Sequence, residues 1–387
     1  MFCSNFENDL KLLKQRSLYR CRRINDGPQG IHVDFDGRRL LSFCSNDYLG
    51  LANHPAVIEA LKQGAVRYGV GSGSAHLISG HGSAHQALEE ELAEFTGFAR
   101  VLLFSTGYMA NLGVISALLG KGDRVLEDRL NHASLLDGGL LSGARFKRYP
   151  HRDLSTLAEF LSQGKEARQL VVSDGVFSMD GDLADLPGLS QLCESYDAGL
   201  FVDDAHGFGV LGQNGRGVLE HFGLTSGDIS ILVGTLGKAF GTFGAFVAGN
   251  DDLIEYLIQR ARSYIYTTAI PAALAEATRA SLKLVREENW RREKLCLLVA
   301  RFRRRALERN LPIPESLTPI QPLLIGDSRR AIEIADRLRR KGILVMPIRP
   351  PTVPEGSSRL RLTFSALHEE THIDRLVDEL SDAFTHS

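Results

Sequence analysis

Two short apolar runs in this chain end in side chains that do chemistry. Phe201-Val202-Asp203-Asp204-Ala205-His206-Gly207 closes on two carboxylates and an imidazole, and Ile231-Leu232-Val233-Gly234-Thr235-Leu236-Gly237-Lys238 closes on a hydroxyl and an amine. Those groups match the needs of an aldehyde cofactor such as pyridoxal 5'-phosphate: an amine to condense with the aldehyde, a carboxylate to keep the pyridine nitrogen protonated, hydroxyls and amides for the phosphate. Both runs read as strands, so each presents its chemistry at a strand's carboxyl end, where open α/β sheets bind ligands. A solvated surface lysine is the ordinary alternative for Lys238. A nucleotide P-loop, invited by Gly237-Lys238, fails because Leu232 stands where the first glycine of GxxxxGK[ST] belongs and Ala239 where the magnesium-binding hydroxyl belongs.

The elements that must position these groups follow from the hydrophobic pattern. Residues 1–45 read as an N-terminal arm, with a helix around Leu10 to Arg20 and a hairpin turning at Asp36-Gly37. Residues 46–285 alternate helical patterns such as His85 to Phe95 and Leu189 to Tyr196 with short apolar runs. These are Val101 to Phe104, Arg124 to Leu126, Gln169 to Val172, Leu200 to Val202 and Ile231 to Val233. Such alternation predicts an α/β domain with a mainly parallel central sheet and flanking helices. A long helical stretch runs from Pro271 to about Asn310. Residues 286–387 otherwise read as a small α+β domain: a strand near Pro322 to Ile325, a helix Ser328 to Lys341, and strands Ile343 to Met346 and Arg359 to Phe364.

Composition narrows the class. A chain of 387 residues with 43% hydrophobic content holds more than one substructure around a sizeable interior. The formal charge of -2 gives no electrostatic footprint for nucleic acid, and the basic run Arg301 to Arg305 reads as a solvated helix face. Five scattered cysteines without a CxxC pair suit reduced thiols. With no signal-peptide pattern and no apolar run of membrane-spanning length, the expectation is a soluble cytoplasmic protein without a membrane partner.

Four motifs in order carry a family resemblance: Asn131-His132-Ala133-Ser134, Asp174 to Asp182, Asp203 to Gly207, and Thr235-Leu236-Gly237-Lys238. Together they resemble the α-oxoamine synthases, fold-type I pyridoxal phosphate enzymes, over essentially the whole chain. The segment Ile348 to Pro354 followed by Arg359-Leu360-Arg361-Leu362-Thr363 is most similar to the biotin-pathway branch of that family. The resemblance implies a decarboxylative condensation of L-alanine with a pimeloyl thioester, carried by coenzyme A or by acyl carrier protein.

The same resemblance implies the site. Lys238 would hold the cofactor and act as base at the alanine α-carbon, Asp203 would pair with the pyridine nitrogen, His206 would meet the cofactor's phenolic oxygen, and His132 would stack on the ring and donate a proton to the ketone oxygen. Ser178 and Thr235 would offer hydroxyls, and Gly107-Tyr108 backbone amides at a helix N-terminus. Thr267 and Thr268 match residues that reach the phosphate of the other subunit, which implies a homodimer with composite sites. Arg361, assisted by Asn46, would hold the amino acid carboxylate, and Arg20 and Thr352 match positions associated with the acyl substrate, with Arg22 and Arg23 close enough to exchange with Arg20. Asp204 reads as structural.

Glycine-condensing siblings are the alternative enzyme, and a non-catalytic regulatory subunit of the same fold is the alternative class; joint retention of Lys238, Asp203, His132 and His206 argues against the latter. Gly71-Ser72-Gly73-Ser74 and Gly80-His81-Gly82-Ser83 do not fit GxGxxG. His81 and His85 stand four apart like zinc ligands, but Gly82 replaces the glutamate of HExxH, so no metal is expected.

Overall fold

The computed structural model describes residues 4–35, 37–164 and 167–385 and divides into two units. The larger comprises residues 49–178 and 182–292, the smaller residues 4–48, 179–181 and 293–385.

The larger unit is built on a seven-stranded sheet. Across it run Arg100–Phe104, Ala245–Gly249, Ile231–Thr235, Gly199–Asp203, Gln169–Asp174, Arg124–Asp128 and Arg145–Tyr149. The last five are mutually parallel, and Ala245–Gly249 is antiparallel to both its neighbours. Alternate residues Phe104, Val125, Val172, Phe201, Val233 and Val247 share one buried cluster with Val114 and Ile115 of the helix Gly107–Leu118 and with Ile254 and Leu257 of the helix Asp251–Arg260. The intervening Leu103, Leu126, Val171, Val202 and Leu232 are buried as well. A sheet covered on both faces explains why its central strands read as unbroken apolar runs. Each such side chain contributes about 1.5–3 kcal/mol on burial, and that burial holds the strand ends in register.

In the smaller unit Ser358–Thr363 lies between Ile320–Gly326 and Met346–Ile348, antiparallel to both. A second sheet pairs His32–Phe35 with Arg38–Ser42, and the latter with Ile343–Leu344 in parallel. The N-terminal segment is therefore knit into the unit that holds residues 293–385. The tight connection joins Phe35 to Arg38, and of the expected turn Asp36 lies outside the described residues while Gly37 takes φ +69°.

Some elements differ from expectation. The first helix is Ser4–Gln15 rather than Leu10 to Arg20; Arg16 and Ser17 close it as a turn, with Ser17 at φ +56°, and Leu18 to Arg23 follow without regular structure. The stretch after Pro271 is two helices, Ala272–Glu287 and Trp290–Glu308, broken at Glu288 and Asn289. Arg301 and Arg305 of that basic run, with Arg309 beyond it, pair with Glu370, Asp374 and Asp378 of the helix Glu370–Thr385, whereas Arg304 stays exposed beside Glu308. Among the described residues no helix is long and apolar enough to cross a membrane.

Candidate functional site

Parallel strands deliver four groups to one edge of the large sheet. Asp203 ends Gly199–Asp203, Asp174 ends Gln169–Asp174 directly beside it in register, Thr235 ends Ile231–Thr235, and Lys238 follows three residues later. His132 is the N-cap of the helix Ala133–Ser142, and Gly107 opens the helix Gly107–Leu118, whose Thr106 Oγ1 caps the N–H of Met109. A cavity of about 180 Å³ at this edge is lined by Gly107, Tyr108, His132, Ser178, Asp203, His206, Thr235 and Lys238, all expected from sequence, and by Asn111, Ser134 and Asp174, to which no role had been assigned. Thr267 and Thr268 do not line it; they follow the short helix Arg262–Ile265, with Thr268 bridged to Ala75.

Asn111 organises the floor. Its Nδ2 donates to Asp203 Oδ2 at 2.6 Å and to Ser134 Oγ at 2.8 Å, and Asp203 Oδ1 accepts from Ala205 N at 2.9 Å. The amide must face this way because its oxygen would repel the Asp203 carboxylate. Ser134 Oγ, already an acceptor, spends its one proton on His132 Nδ1 at 2.7 Å, and Ser134 N points at the same nitrogen at 3.3 Å. His132 Nδ1 therefore accepts, and the neutral ring carries its proton on Nε2. Burial, opposed by the Asp203 charge and aided by that of Lys238, holds this imidazole below its ordinary value, which keeps it neutral.

The His132 N–H donates to Asp174 Oδ2 at 2.7 Å, and Asp174 N donates to Asn131 Oδ1 at 3.1 Å. Burial first, and the Asp203 charge second, push the Asp174 carboxyl well above the carboxylate range. Lys238 Nζ stands 2.8 Å from His206 Nε2. Asp204 points elsewhere: its Oδ2 accepts from Val218 N at 2.8 Å, and burial drives its carboxyl well above the usual range. Gly217 packs so close that a Cβ there would stand 1.8 Å from Asp204 Oδ2. Tyr108 donates through its hydroxyl to Asp137.

The donor set fits pyridoxal 5'-phosphate. An amine, a fixed buried carboxylate, a facing imidazole, two hydroxyls and a helix N-terminus share one cavity, and a Cβ on Gly107 would meet nothing within 4 Å, so the backbone there is open to a phosphate. Asn111 Oδ1 is buried with no partner among the described residues.

The remaining expected residues lie in the smaller unit. On Ser358–Thr363 the buried Arg359 is committed to Asp180, whereas Arg361, two residues on and on the same face, donates to the neutral Asn46 Oδ1 at 3.1 Å, an oxygen that also accepts from Tyr48 at 3.2 Å. Arg20 donates to Thr352 Oγ1 at 3.2 Å, which sets it apart from Arg22 and Arg23. As for the histidine pair at 81 and 85, His85 accepts from Gly82 N and donates to the Ile270 carbonyl; among the described residues no group of three or more His, Cys, Asp or Glu is arranged to hold a metal.

Residues 38–380 match the model of the aminotransferase class I and II family. The chain is 62% identical over 372 residues to the 8-amino-7-oxononanoate synthase of Nitrosococcus oceani, covering 96% of this chain and 99% of that one. It is 61% identical over 371 residues to the same enzyme of Methylococcus capsulatus, covering 96% of each. Among solved structures, the serine palmitoyltransferase of S. paucimobilis with PLP-myriocin bound superposes with a TM-score of 0.94 at 29% identity, covering 99% of this chain and 97% of that one. The 8-amino-7-oxononanoate synthase of Francisella tularensis superposes at 0.79 with 32% identity, covering 90% and 98%.

Proposed function

The chain belongs to the aminotransferase class I and II family and, within it, to the 8-amino-7-oxononanoate synthases, and from this premise we propose how its residues divide the work. It is a PLP-dependent C-acyltransferase of biotin biosynthesis that condenses L-alanine with a pimeloyl thioester, giving 8-amino-7-oxononanoate, carbon dioxide and free thiol. The observation that carries the assignment of residues is the cavity joining Lys238, Asp203 and His132. The acyl carrier is coenzyme A or acyl carrier protein, and the setting is the cytoplasm.

When bound, pyridoxal 5'-phosphate supplies an electron sink for charge developing at the amino acid's α-carbon. Lys238 Nζ holds the cofactor and takes the α-proton, with His206 fixing the amine's direction from 2.8 Å. Asp203, immobilised by Asn111 and Ala205, holds positive charge on the ring nitrogen. His206 also meets the phenolic oxygen. Ser178, Thr235 and the amides of Gly107 and Tyr108 hold the remaining polar groups, and Thr267 and Thr268 serve the site of the second subunit in a homodimer. His132 would lie against the cofactor's ring, and its Nε2 proton, placed by Ser134, would be the one available to the ketone oxygen. Arg361 with Asn46 takes the alanine carboxylate, and Arg20 with Thr352 the acyl substrate.

Incubation of the holoenzyme with L-alanine and pimeloyl thioester tests the reading: one carbon dioxide per amino ketone is expected, with acetyl thioester poor because each missing methylene forfeits about 0.8 kcal/mol of apolar burial. Preferential turnover of glycine with acetyl thioester would overturn it in favour of a glycine-condensing sibling.

A further inference from the structure

His151 lies two residues beyond the strand Arg145–Tyr149 and outside the cavity lining, yet both its ring nitrogens are engaged. Nδ1 stands 3.0 and 3.2 Å from the two oxygens of Asp128, and Nε2 stands 2.8 Å from Asp182 Oδ2. Asp128 Oδ1 also accepts from Leu130 N and Oδ2 from Arg152 N, each at 2.8 Å, so both of its oxygens already serve as acceptors. Two nitrogens facing acceptors require two N–H groups, which only the imidazolium has.

The two acids belong to different loops. Asp128 ends Arg124–Asp128 and shapes the turn into Asn131 and His132; Asp182 closes the loop after Gln169–Asp174, where Phe177 N donates to the Asp182 carbonyl at 3.0 Å just before Ser178. The His151 ring packs edge-on against Phe177, centroids 4.4 Å apart at 89°. We propose that His151 is a positioning residue for the reaction, an imidazolium clamp that ties the turn presenting His132 to the loop presenting Ser178. The proposal rests on the roles assigned to those two residues above.

Among the described residues the charged groups paired with the ring are Asp128 and Asp182, Arg152 stands 3.5 Å from the same Asp182 oxygen, and the apolar Phe177 packs against the ring. Burial disfavours the charged ring, but the bonds to the two carboxylates overcome it and hold its pKa at about 9 against an ordinary 6.5. A folded-state value raised in this way keeps the ring protonated up to near pH 9, and the clamp's contribution to stability is full below about pH 6.5 and lost as pH rises through about 9.

The test combines ¹⁵N NMR of histidine side chains in the holoenzyme, with the His151 signals assigned by difference against His151→Gln, and pH profiles of kcat. In the wild type both His151 nitrogens should be protonated at pH 7.5, with a midpoint near 9. Asp182→Asn should lower that midpoint by roughly one unit or more, and the alkaline limb of kcat should move with it while KM for alanine stays put. His151→Gln should keep the cofactor and lower kcat about tenfold, as a small misplacement of reacting groups does. A neutral ring at pH 7.5 overturns the clamp. A midpoint that moves in Asp182→Asn without moving the kcat limb overturns the positioning role. Were the assignment of the cavity itself mistaken, cofactor attachment at Lys238 would fail while the titration of His151 stayed as described, so the two failures are separable.

Discussion

Replacing Asp203 by asparagine asks two things of the site at once. Both oxygens of Asp203 face donors, Asn111 Nδ2 at 2.6 Å and Ala205 N at 2.9 Å, so an asparagine must turn its NH₂ toward one of them. One charge-assisted bond worth about 1.5–3 kcal/mol is lost and a buried donor is stranded at about 1–3 kcal/mol. Asn111 can relieve the conflict only by flipping its amide, which withdraws Nδ2 from Ser134 Oγ and loosens the bond that keeps the His132 proton on Nε2. A net loss of about 2 kcal/mol of folding stability is expected, well within what a domain of this size tolerates. The catalytic loss is larger. A carboxylate about 4 Å from a cationic nitrogen contributes about 4 kcal/mol at an effective dielectric of about 20, equivalent to about three pKa units, so kcat should fall by roughly 10²–10³ with cofactor still bound. Asp204→Asn is the control: burial already keeps that carboxyl uncharged, and an amide oxygen can accept from Val218 N as its Oδ2 does. Steady-state kcat, cofactor absorbance and urea unfolding on the two variants decide the matter. Near-normal turnover in Asp203→Asn together with an inactive Asp204→Asn would refute the reasoning.

Arg361→Ala should raise the alanine concentration needed for half-maximal rate while leaving cofactor content unchanged, because the carboxylate loses a bidentate cation; an unchanged KM would reassign Arg361. Mixing a Lys238→Ala chain with a chain altered at both Thr267 and Thr268 should restore activity if sites are shared, since one hybrid site then holds both intact halves. Absence of rescue, in a mixture shown to contain heterodimers, would argue for sites built from single chains. His368 is buried, stacked on Phe43, accepts from Ser365 N and donates to the Ser42 carbonyl, and burial lowers its pKa to about 4. The unfolded chain binds that proton near pH 6.5 and the folded one does not, so the contribution of His368 to stability should decline by about 3 kcal/mol as pH falls from about 6.5 to about 4. A urea stability whose pH dependence across this window is the same in the wild type and in His368→Gln would contradict it.

The strand ends that carry Asp203, Thr235 and Lys238 were legible because a sheet buried on both faces writes its central strands as apolar runs with chemistry at their ends. Two strands of the same sheet were not. Arg145–Tyr149 is an edge strand whose RFKRY sequence carries three basic residues, and Ala245–Gly249 offers only four apolar residues, Ala245 to Ala248, between Gly244 and Gly249, too short a run to tell from a buried helical segment. The break at Glu288 and Asn289 carries no glycine or proline to announce it. Of the residues lining the cavity, His132, Asp203, His206 and Lys238 stand inside motifs readable in the sequence, whereas Asn111 stands in none. Its signal was present: one amide on the core-facing stripe with Ala110, Val114 and Ile115, where a buried polar group must be satisfied. Ser134 and Asp174 stood inside quoted motifs, but their purpose, setting the His132 tautomer and backbone, exists only once the strands are side by side.

The central claim is that the cavity around Lys238 is the cofactor site, and reductive trapping tests it most directly. Holoenzyme treated with borohydride, digested and mapped by mass spectrometry should lose its visible absorbance band and carry the reduced cofactor on the peptide containing Lys238, with none on Lys238→Ala. A label on any other lysine, or an undiminished label in Lys238→Ala, would contradict the account.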